Sequence, residues 1–94
     1  MFTGLKDSVA IVSGAAGGMG RATVRRLSRE GCKVFAVDIS QSALESMMAQ
    51  METEQLTGIT PWVCNATVES EVTAAVQKCI EIYGKVSTLV NIAG

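Results

Sequence analysis

The feature that most constrains the fold is a short apolar run that passes directly into a stretch of small residues. Residues 9–12 are Val-Ala-Ile-Val, and residues 13–20 read Ser-Gly-Ala-Ala-Gly-Gly-Met-Gly. A continuous apolar run closed by glycine is typical of a strand buried on both faces of a parallel sheet. The pattern over 19–30, which Gly31 terminates, predicts a helix directly after the small residues.

Strand-like and helix-like segments alternate along the rest of the chain. Further strands are predicted at 34–37, 59–64 and 86–93, and Asp38 ends the second strand. The first of the two helices between them carries an apolar stripe, which we interpret as core: Leu44, Met47, Met48 and Met51. The apolar face of the second helix, which Gly84 ends, consists of Val72, Ala75, Val76, Cys79, Ile80 and Tyr83.

The order β-α-β-α-β-α-β, with short connections, indicates a parallel sheet covered by helices. We therefore predict an α/β fold, namely a partial Rossmann-type doubly wound parallel sheet with strand order 3-2-1-4. Pro61 lies in the third strand, and a proline cannot donate to a strand ladder, so this strand is expected at an edge. The predicted order places it at an edge.

Local signals at the helix ends and on one helix surface give further predictions. Ser42 and Glu45 resemble a capping box, and Thr67 is the predicted N-cap of the third helix. A solvated face of the first helix, with an Arg26–Glu30 pair, is predicted from its four arginines: Arg21, Arg25, Arg26 and Arg29.

Length and composition narrow the classes of protein. The chain has 94 residues, 48% hydrophobic, with a net charge of −1, which fits one domain and excludes a disordered chain. We expect no membrane span, no secretory signal and no nucleic-acid partner. Because the sequence contains no histidine, catalysis by histidine and metal sites built from histidine are excluded. The three cysteines form no C-x-x-C pair, and we expect reduced thiols in the cytoplasm.

The chemistry is expected at the small residues 13–20. They allow the backbone to approach a ligand closely, and the helix that follows begins with unpaired N–H groups and the positive end of its dipole. Together these features favour a phosphate or pyrophosphate. A Walker A loop is excluded, because Met19 stands five positions after Gly14, where that motif requires a Gly-Lys pair. Two ligand classes remain: S-adenosylmethionine, although the carboxylate usual at the end of strand one is missing, and a dinucleotide.

Asp38 supplies the second requirement of a dinucleotide site. It follows the glycines by about 20 residues, the spacing of the carboxylate that binds the adenosine ribose. Its charge repels a 2′-phosphate, and no lysine or arginine at 15–17 or 39–40 offsets that repulsion. We therefore expect NAD rather than NADP.

Three motifs together resemble one family. Residues 13–20 resemble the T-G-x-x-x-G-x-G fingerprint of the short-chain dehydrogenase/reductase family, with serine in place of threonine. Residues 89–94, Leu-Val-Asn-Ile-Ala-Gly, resemble that family's N-N-A-G motif after strand four. Residues 63–67 fall where family members carry an Asp-Val pair beside the adenine. The resemblance covers nearly the whole chain.

The resemblance implies residues for each part of the cofactor. Those implied for the pyrophosphate are Gly14, Gly18 and Gly20, with the backbone of Ala16 and Met19. Those implied for the adenosine are Asp38 and Ile39 at the ribose, with Asn65 and Ala66 at the adenine edge. Those implied to approach the ribose from strand four are Asn91, Ala93 and Gly94.

Two residues depart from the family pattern. Asn65 replaces the usual aspartate, so an uncharged amide oxygen is left to accept from the adenine amino group, and we expect weaker binding. Ile92 replaces the second asparagine of N-N-A-G, which removes a polar side chain that helps to tie the sheet to the site.

The family's catalytic residues find no counterpart in this sequence. Hydride transfer between NAD(H) and a secondary alcohol or ketone uses a serine and a Y-x-x-x-K pair, whereas Tyr83 and Lys85 have the wrong spacing. We expect residues 1–94 to be the N-terminal, cofactor-binding part of a single dinucleotide-binding domain, truncated after strand four and inactive by itself. The alternative is a non-catalytic module that associates through the bare edge of strand four.

Overall fold

The computed structural model describes residues 7–92, so the predictions for Ala93 and Gly94 lie outside the described residues. Strands and helices alternate along this part of the chain. In order they are β1 (Val9–Ser13), α1 (Gly18–Arg29), β2 (Lys33–Asp38), α2 (Gln41–Thr53), β3 (Ile59–Val63), α3 (Glu69–Tyr83) and β4 (Thr88–Asn91). Within residues 7–92, no helix has the length and apolar character needed to cross a membrane.

The strands form one parallel sheet in the order β3-β2-β1-β4, which confirms the predicted α/β fold and strand order. The register aligns the carboxyl ends of the strands. Ser13 lies beside both Val37 and Asn91, and Asp38 lies beside Val63. All the strands therefore end at the same edge of the sheet, where their last side chains and the loops that follow meet.

Each face of the sheet is covered by helices, because successive strand residues point to opposite faces. The core under α1 and α2 consists of Val12, Ala15, Ala16, Val24, Val34, Ala36, Leu44, Met47 and Met51. The core under α3 consists of Val9, Ile11, Phe35, Val37, Cys64, Ala75 and Cys79. The methionine stripe is core, as predicted: Met47 is fully buried, and Met48 packs against the same cluster while partly exposed.

Pro61 lies on the edge strand β3, as predicted. The carbonyl of Gly58 accepts from the N–H of Val34 at 2.8 Å, and the N–H of Cys64 donates to the carbonyl of Asp38 at 2.9 Å. Backbone groups of successive residues alternate between the partner strand and the opposite side, so the even-numbered residues here face β2. The missing N–H of Pro61 therefore points away from β2 and removes no hydrogen bond from the ladder.

The N-termini of two helices differ from the predictions. Ser40, and not Ser42, caps α2, because its hydroxyl accepts a backbone N–H of the first turn at 3.2 Å. The residue before α3 is Val68, which makes no side-chain cap. The predicted cap, Thr67, donates its hydroxyl to Asn65 at 2.6 Å instead. Both predictions were wrong because neighbouring polar side chains compete for the same local hydrogen bonds.

The last strand is shorter than predicted. β4 spans Thr88–Asn91, whereas the sequence favoured 86–93. Before the strand, the hydroxyl of Ser87 accepts from the N–H of Val9 at 3.1 Å. A side chain thus takes a β1 donor that a longer ladder would have paired with a backbone carbonyl.

The arginines of α1 are not simply a solvated face. Arg25 Nε lies 2.7 Å from Glu54 Oε1 beyond the end of α2, and each of these side chains is 25% exposed. Arg29 reaches the same carboxylate oxygen at 3.3 Å. The hydrogen bond from Arg25 holds the pKa of Glu54 below its ordinary value. Arg26, largely exposed and paired with Glu30 at 3.4 Å, fits the prediction.

Candidate functional site

The carboxyl ends of the strands surround a cavity of about 680 Å³. Open α/β sheets bind ligands at this edge, beside the point where the strand order reverses, which here lies between β1 and β4. The predicted site residues that line the cavity are Gly14, Gly18, Met19, Gly20, Asp38, Ile39, Asn65, Ala66 and Asn91. The fold thus gathers residues from the glycine loop and from the ends of β2, β3 and β4.

Two glycines let the loop between β1 and α1 turn tightly. Gly14 has a φ of 75°, and a Cβ there would lie 2.8 Å from the carbonyl oxygen of Ile92, so a side chain is disfavoured by both conformation and space. Gly20 lies in the first turn of α1, where a Cβ would overlap the Gly14 carbonyl oxygen and the backbone of Ala15. The approach at Gly14 brings the loop against the residue after β4, and the approach at Gly20 seats the N-terminus of α1 against the residues after β1.

Gly18 has a different surrounding. It lines the cavity, and a Cβ at this position would meet no described atom within 4 Å. The N–H groups of Gly18, Met19 and Gly20 donate to no acceptor among residues 7–92, and the N-cap Gly17 has no side chain to bond them. Free N–H groups at the positive end of a helix attract an anion. The loop therefore has both the room and the donors that a phosphate group requires.

The carboxylate of Asp38 lies at the mouth of this loop. Its Oδ2 accepts from the backbone N–H of Ala16 at 3.1 Å, and its Oδ1 accepts from the N–H of Ser40 at 3.0 Å. Both oxygens are therefore fixed in place by backbone donors. Each oxygen has a further lone pair, so the carboxylate can still accept from a ligand hydroxyl.

Ala16 lies beneath the cavity rather than in its wall. It is 7% exposed and packs in the core under α1 and α2. Its N–H donates to Asp38, and its carbonyl accepts from Arg21 Nε at 2.7 Å. The backbone of Ala16 thus ties the loop to both neighbours, and its N–H is already engaged.

Asn65 forms a local turn at the end of β3. Its Oδ1 accepts from both the backbone N–H and the hydroxyl of Thr67, at 3.0 and 2.6 Å. Its own N–H donates to Glu71 at 2.9 Å. The amide oxygen that was expected to accept from an adenine amino group is therefore occupied, and the side-chain NH₂ has no acceptor within residues 7–92.

Two exposed apolar side chains flank the cavity. Met19 is 71% exposed and Ile39 is 65% exposed, and both contribute to the cavity wall. Both side chains are therefore available for apolar contact with a ligand in the cavity. The cavity thus offers apolar contacts at its sides and polar groups at its base.

The cavity wall also contains residues to which sequence reasoning assigned no role of their own, although all but Ile92 lie within the segments 13–20 and 63–67 that it singled out: Ser13, Gly17, Cys64, Thr67 and Ile92. Thr67 had a detectable signal, because a hydroxyl two residues after asparagine favours the turn observed here. Cys64 had none, since its place depends on the register of β3 with β2. Its thiol is buried, and burial, with Glu71 nearby, raises its pKa.

A model of the short-chain dehydrogenase family matches residues 8–94. The 3-oxoacyl-(acyl-carrier-protein) reductase of Thermotoga maritima is 38% identical over 91 residues, a match that covers 96% of this chain and 36% of that protein. Levodione reductase of Leifsonia aquatica is 36% identical over 93 residues and is covered to 35%. The chain spans about a third of the length of the curated relatives it matches.

Solved structures agree with the sequence matches. An actinorhodin polyketide ketoreductase crystallised with NADPH aligns with a TM-score of 0.86 at 32% identity, over 100% of this chain and 35% of the other. A xylitol dehydrogenase bound to NAD⁺ aligns with the same TM-score and identity, over 96% and 34%. These proteins share the fold described above, and their crystals contain different nicotinamide cofactors.

Proposed function

Because the chain belongs to the short-chain dehydrogenase family, we propose that its cavity binds NAD and that the chain is the cofactor-binding part of an oxidoreductase. The proposed reaction is hydride transfer between NAD(H) and a secondary alcohol or ketone. The observation that carries the proposal is the 3.1 Å hydrogen bond from Ala16 to Asp38, which joins the two halves of a dinucleotide site. Membership in this family also argues against the S-adenosylmethionine alternative.

The glycine loop supports binding of the pyrophosphate. The N–H groups of Gly18, Met19 and Gly20 are free among residues 7–92 and lie at the start of a helix. Pyrophosphate is an anion that such groups bind well. A side chain at position 18 would fill the open space beside the loop and exclude a ligand, whereas glycine leaves that space empty. The loop therefore offers an anion both space and hydrogen-bond donors.

The charge of Asp38 supports NAD over NADP. The carboxylate is held by two backbone N–H groups, so it cannot turn away from a ligand without breaking them. A 2′-phosphate about 4 Å away would cost about 4 kcal/mol at an effective dielectric constant near 20. The two ribose hydroxyls of NAD, in contrast, can donate to the remaining lone pairs.

We propose that residues 1–94 bind cofactor without turnover. The nicotinamide ring supplies the hydride chemistry when the cofactor is bound. The chain contributes N–H donors, the Asp38 carboxylate and apolar walls, which bind and orient the cofactor. The sequence contains no Y-x-x-x-K pair that could exchange a proton with a substrate oxygen. Oxidation of an alcohol by the purified 94-residue chain with NAD would contradict this.

Titration of NAD and NADP against the chain and Asp38→Asn tests the cofactor proposal. The substitution removes the charge of the side chain. It is expected to weaken NAD binding about tenfold, while NADP binding stays unchanged or becomes tighter. Glu45→Gln is the matched control, because it removes a carboxylate of α2 that does not line the cavity. Absence of NAD binding by the unchanged chain, or equal NAD affinity of the Asp38 variant, would overturn the proposal.

A second candidate function is association through β4. Among residues 7–92 this strand pairs with β1 alone, and Leu89 on it is 61% exposed. An open strand edge with an apolar side chain favours pairing with another chain. Sedimentation velocity of the chain and of Leu89→Thr tests this. A monomer at all concentrations would exclude it, and a concentration-dependent dimer that the substitution weakens would support it.

We also propose a cytoplasmic location. Cys32, Cys64 and Cys79 are all buried free thiols, and burial raises the pKa of each. Unpaired cysteines are typical of reducing compartments. Fractionation of cells that express the protein, with detection by antibody, tests the location; recovery from a secreted or membrane fraction would contradict it.

A further inference from the structure

We propose that Arg21 is a positioning residue of the cofactor site, which holds the glycine loop in its binding conformation although it does not line the cavity. This inference rests on the proposed function, because it names the residue that orients that site. Arg21 follows Gly20 in the first turn of α1. Its guanidinium group points back to the loop and across to α2, so it acts through the backbone of Ala16.

The guanidinium group bonds three separate oxygens. Nε donates to the carbonyl of Ala16 at 2.7 Å, Nη2 to the carbonyl of Ala43 at 3.1 Å, and Nη1 to Oε1 of Gln50 at 3.1 Å. The first oxygen belongs to the loop, and the other two belong to α2. The planar fork of an arginine can hold such divergent acceptors in one geometry, whereas lysine has a single nitrogen.

Ala16 connects Arg21 to the proposed ligand through its two adjacent peptide groups. Its carbonyl, in the peptide group that joins Ala16 to Gly17, accepts from Arg21, and its N–H, in the peptide group that joins Ala15 to Ala16, donates to Oδ2 of Asp38 at 3.1 Å. Arg21 therefore holds one peptide group of the residue whose other peptide group holds the carboxylate proposed to bind ribose. Loss of the guanidinium group would free the Ala16–Gly17 peptide group to rotate about the bonds at the Ala16 Cα, with effects on both the carboxylate and the N–H groups that follow.

The position of Arg21 argues against a merely electrostatic role. A cation in the first turn of a helix is unfavourable to the helix dipole, which prefers cations at the other end. Arg25 supplies the comparison, because it lies one turn later and also joins α1 to the α2 side of the molecule, through Glu54 at 2.7 Å. Within residues 7–92 Arg25 makes no hydrogen bond to the loop, so its loss should affect the joint between the helices and leave the loop intact.

Binding of NAD and NADP to the full 94-residue chain tests the proposal, with Arg21→Gln, Arg21→Lys and Arg25→Gln measured at a temperature where all are folded. We expect Arg21→Gln to weaken the binding of NAD about tenfold and to reduce the ratio by which the chain prefers NAD over NADP. Arg21→Lys should remain weakened, because a retained charge does not restore three hydrogen bonds. Arg25→Gln should lower the melting temperature and leave both dissociation constants unchanged.

Amide hydrogen exchange of the ligand-free chain provides a readout that does not depend on NAD. The Ala16 N–H should exchange several-fold faster in Arg21→Gln than in Arg25→Gln, relative to core amides such as that of Val34. If the unchanged chain binds no NAD, the proposed function fails, and this exchange ratio still decides the role of Arg21. Equal exchange in the two variants, full rescue by lysine, or an equal loss of NAD affinity in Arg25→Gln would overturn the inference.

Discussion

The carboxylate of Asp38, at the end of β2, accepts a hydrogen bond from the backbone N–H of Ala16, in the loop after β1, at 3.1 Å. The register of the two strands explains the contact, because Ser13 lies beside Val37 and the loop begins where β2 ends. The N–H of Ala15 adds a second link by donating to the carbonyl of Val37 at 3.0 Å. Two motifs far apart in the sequence therefore form one rigid edge of the cavity.

Substitution of Gly20 by alanine is expected to destabilise the fold. The added Cβ would overlap the Gly14 carbonyl oxygen and the backbone of Ala15, and backbone atoms cannot move aside cheaply. We expect a loss of about 2–3 kcal/mol in the free energy of unfolding, which exceeds the gain of about 1 kcal/mol from the better helix former. Urea denaturation measures this, and an unchanged midpoint would show that α1 does not approach the loop so closely.

Substitution of Gly18 by alanine should leave the stability of the fold intact and weaken NAD binding. Its Cβ meets no described atom within 4 Å, so the unfolding midpoint should be unchanged or slightly higher. The methyl group would occupy cavity space, and we expect NAD binding to weaken about tenfold. Calorimetric titration beside the denaturation curve measures both effects. Undiminished NAD affinity would show that the cofactor does not approach Gly18.

Substitution of Asn65 by aspartate should tighten NAD binding. One carboxylate oxygen can keep the bonds from Thr67 that Asn65 Oδ1 now accepts, and the second becomes a free acceptor for the adenine amino group. We expect an increase of about threefold to tenfold in affinity, since hydrogen bonds to charged acceptors are the stronger ones. Titration with NAD and with ADP measures it, and nicotinamide mononucleotide, which lacks adenine, should show no change.

Substitution of Glu54 by glutamine should lower stability in a pH-dependent way. The hydrogen bond from Arg25 lowers the pKa of Glu54, so its contribution is fully present above the ordinary value near 4.5 and is lost as pH falls through the lowered value. We expect the melting temperature to fall by about 1–4 °C at pH 7. The difference from the unchanged chain should shrink below pH 4.

Thermal melts between pH 3 and pH 8 measure this dependence. Glu81→Gln is the control, because that carboxylate is 68% exposed and lies 3.9 Å from Lys78. It should leave the melting temperature unchanged throughout. A Glu54 effect that is constant with pH would show that the ion pair does not form.

Substitution of Met47 by alanine should cost about 2–5 kcal/mol in the free energy of unfolding. Met47 is fully buried between α2 and the sheet, so truncation leaves a cavity. Met48→Ala removes the same atoms from a partly exposed position and should cost less than about half as much. Equal costs in urea denaturation would contradict the interpretation of this stripe as core.

The fold could be predicted because each strand and helix is marked by a pattern within a short segment, and the strand order follows from the alternation of these elements. Apolar runs closed by glycine or aspartate marked β1 and β2, and Pro61 marked the edge strand. The cavity residues Gly14 and Asp38 were found by the same reasoning, since parallel strands end at one edge of the sheet.

The remaining contacts could not be predicted because they join segments that are distant in sequence. The pair of Arg25 with Glu54 depends on how α1 lies beside the end of α2, and the helix pattern of either alone does not reveal it. The turn of Asn65 onto Thr67 was missed for another reason. Two local hydrogen bonds compete there with a helix cap, and the sequence does not decide between them.

Pro61 also limits the addition of strands to one of the two edges of the sheet. The outer side of β3 presents a row of donors that the proline interrupts, so an incoming strand would find no continuous template there. The opposite side, along β4, has no such interruption within Thr88–Asn91. A further strand can therefore pair in register along β4, whereas Pro61 prevents continuous pairing along the outer side of β3.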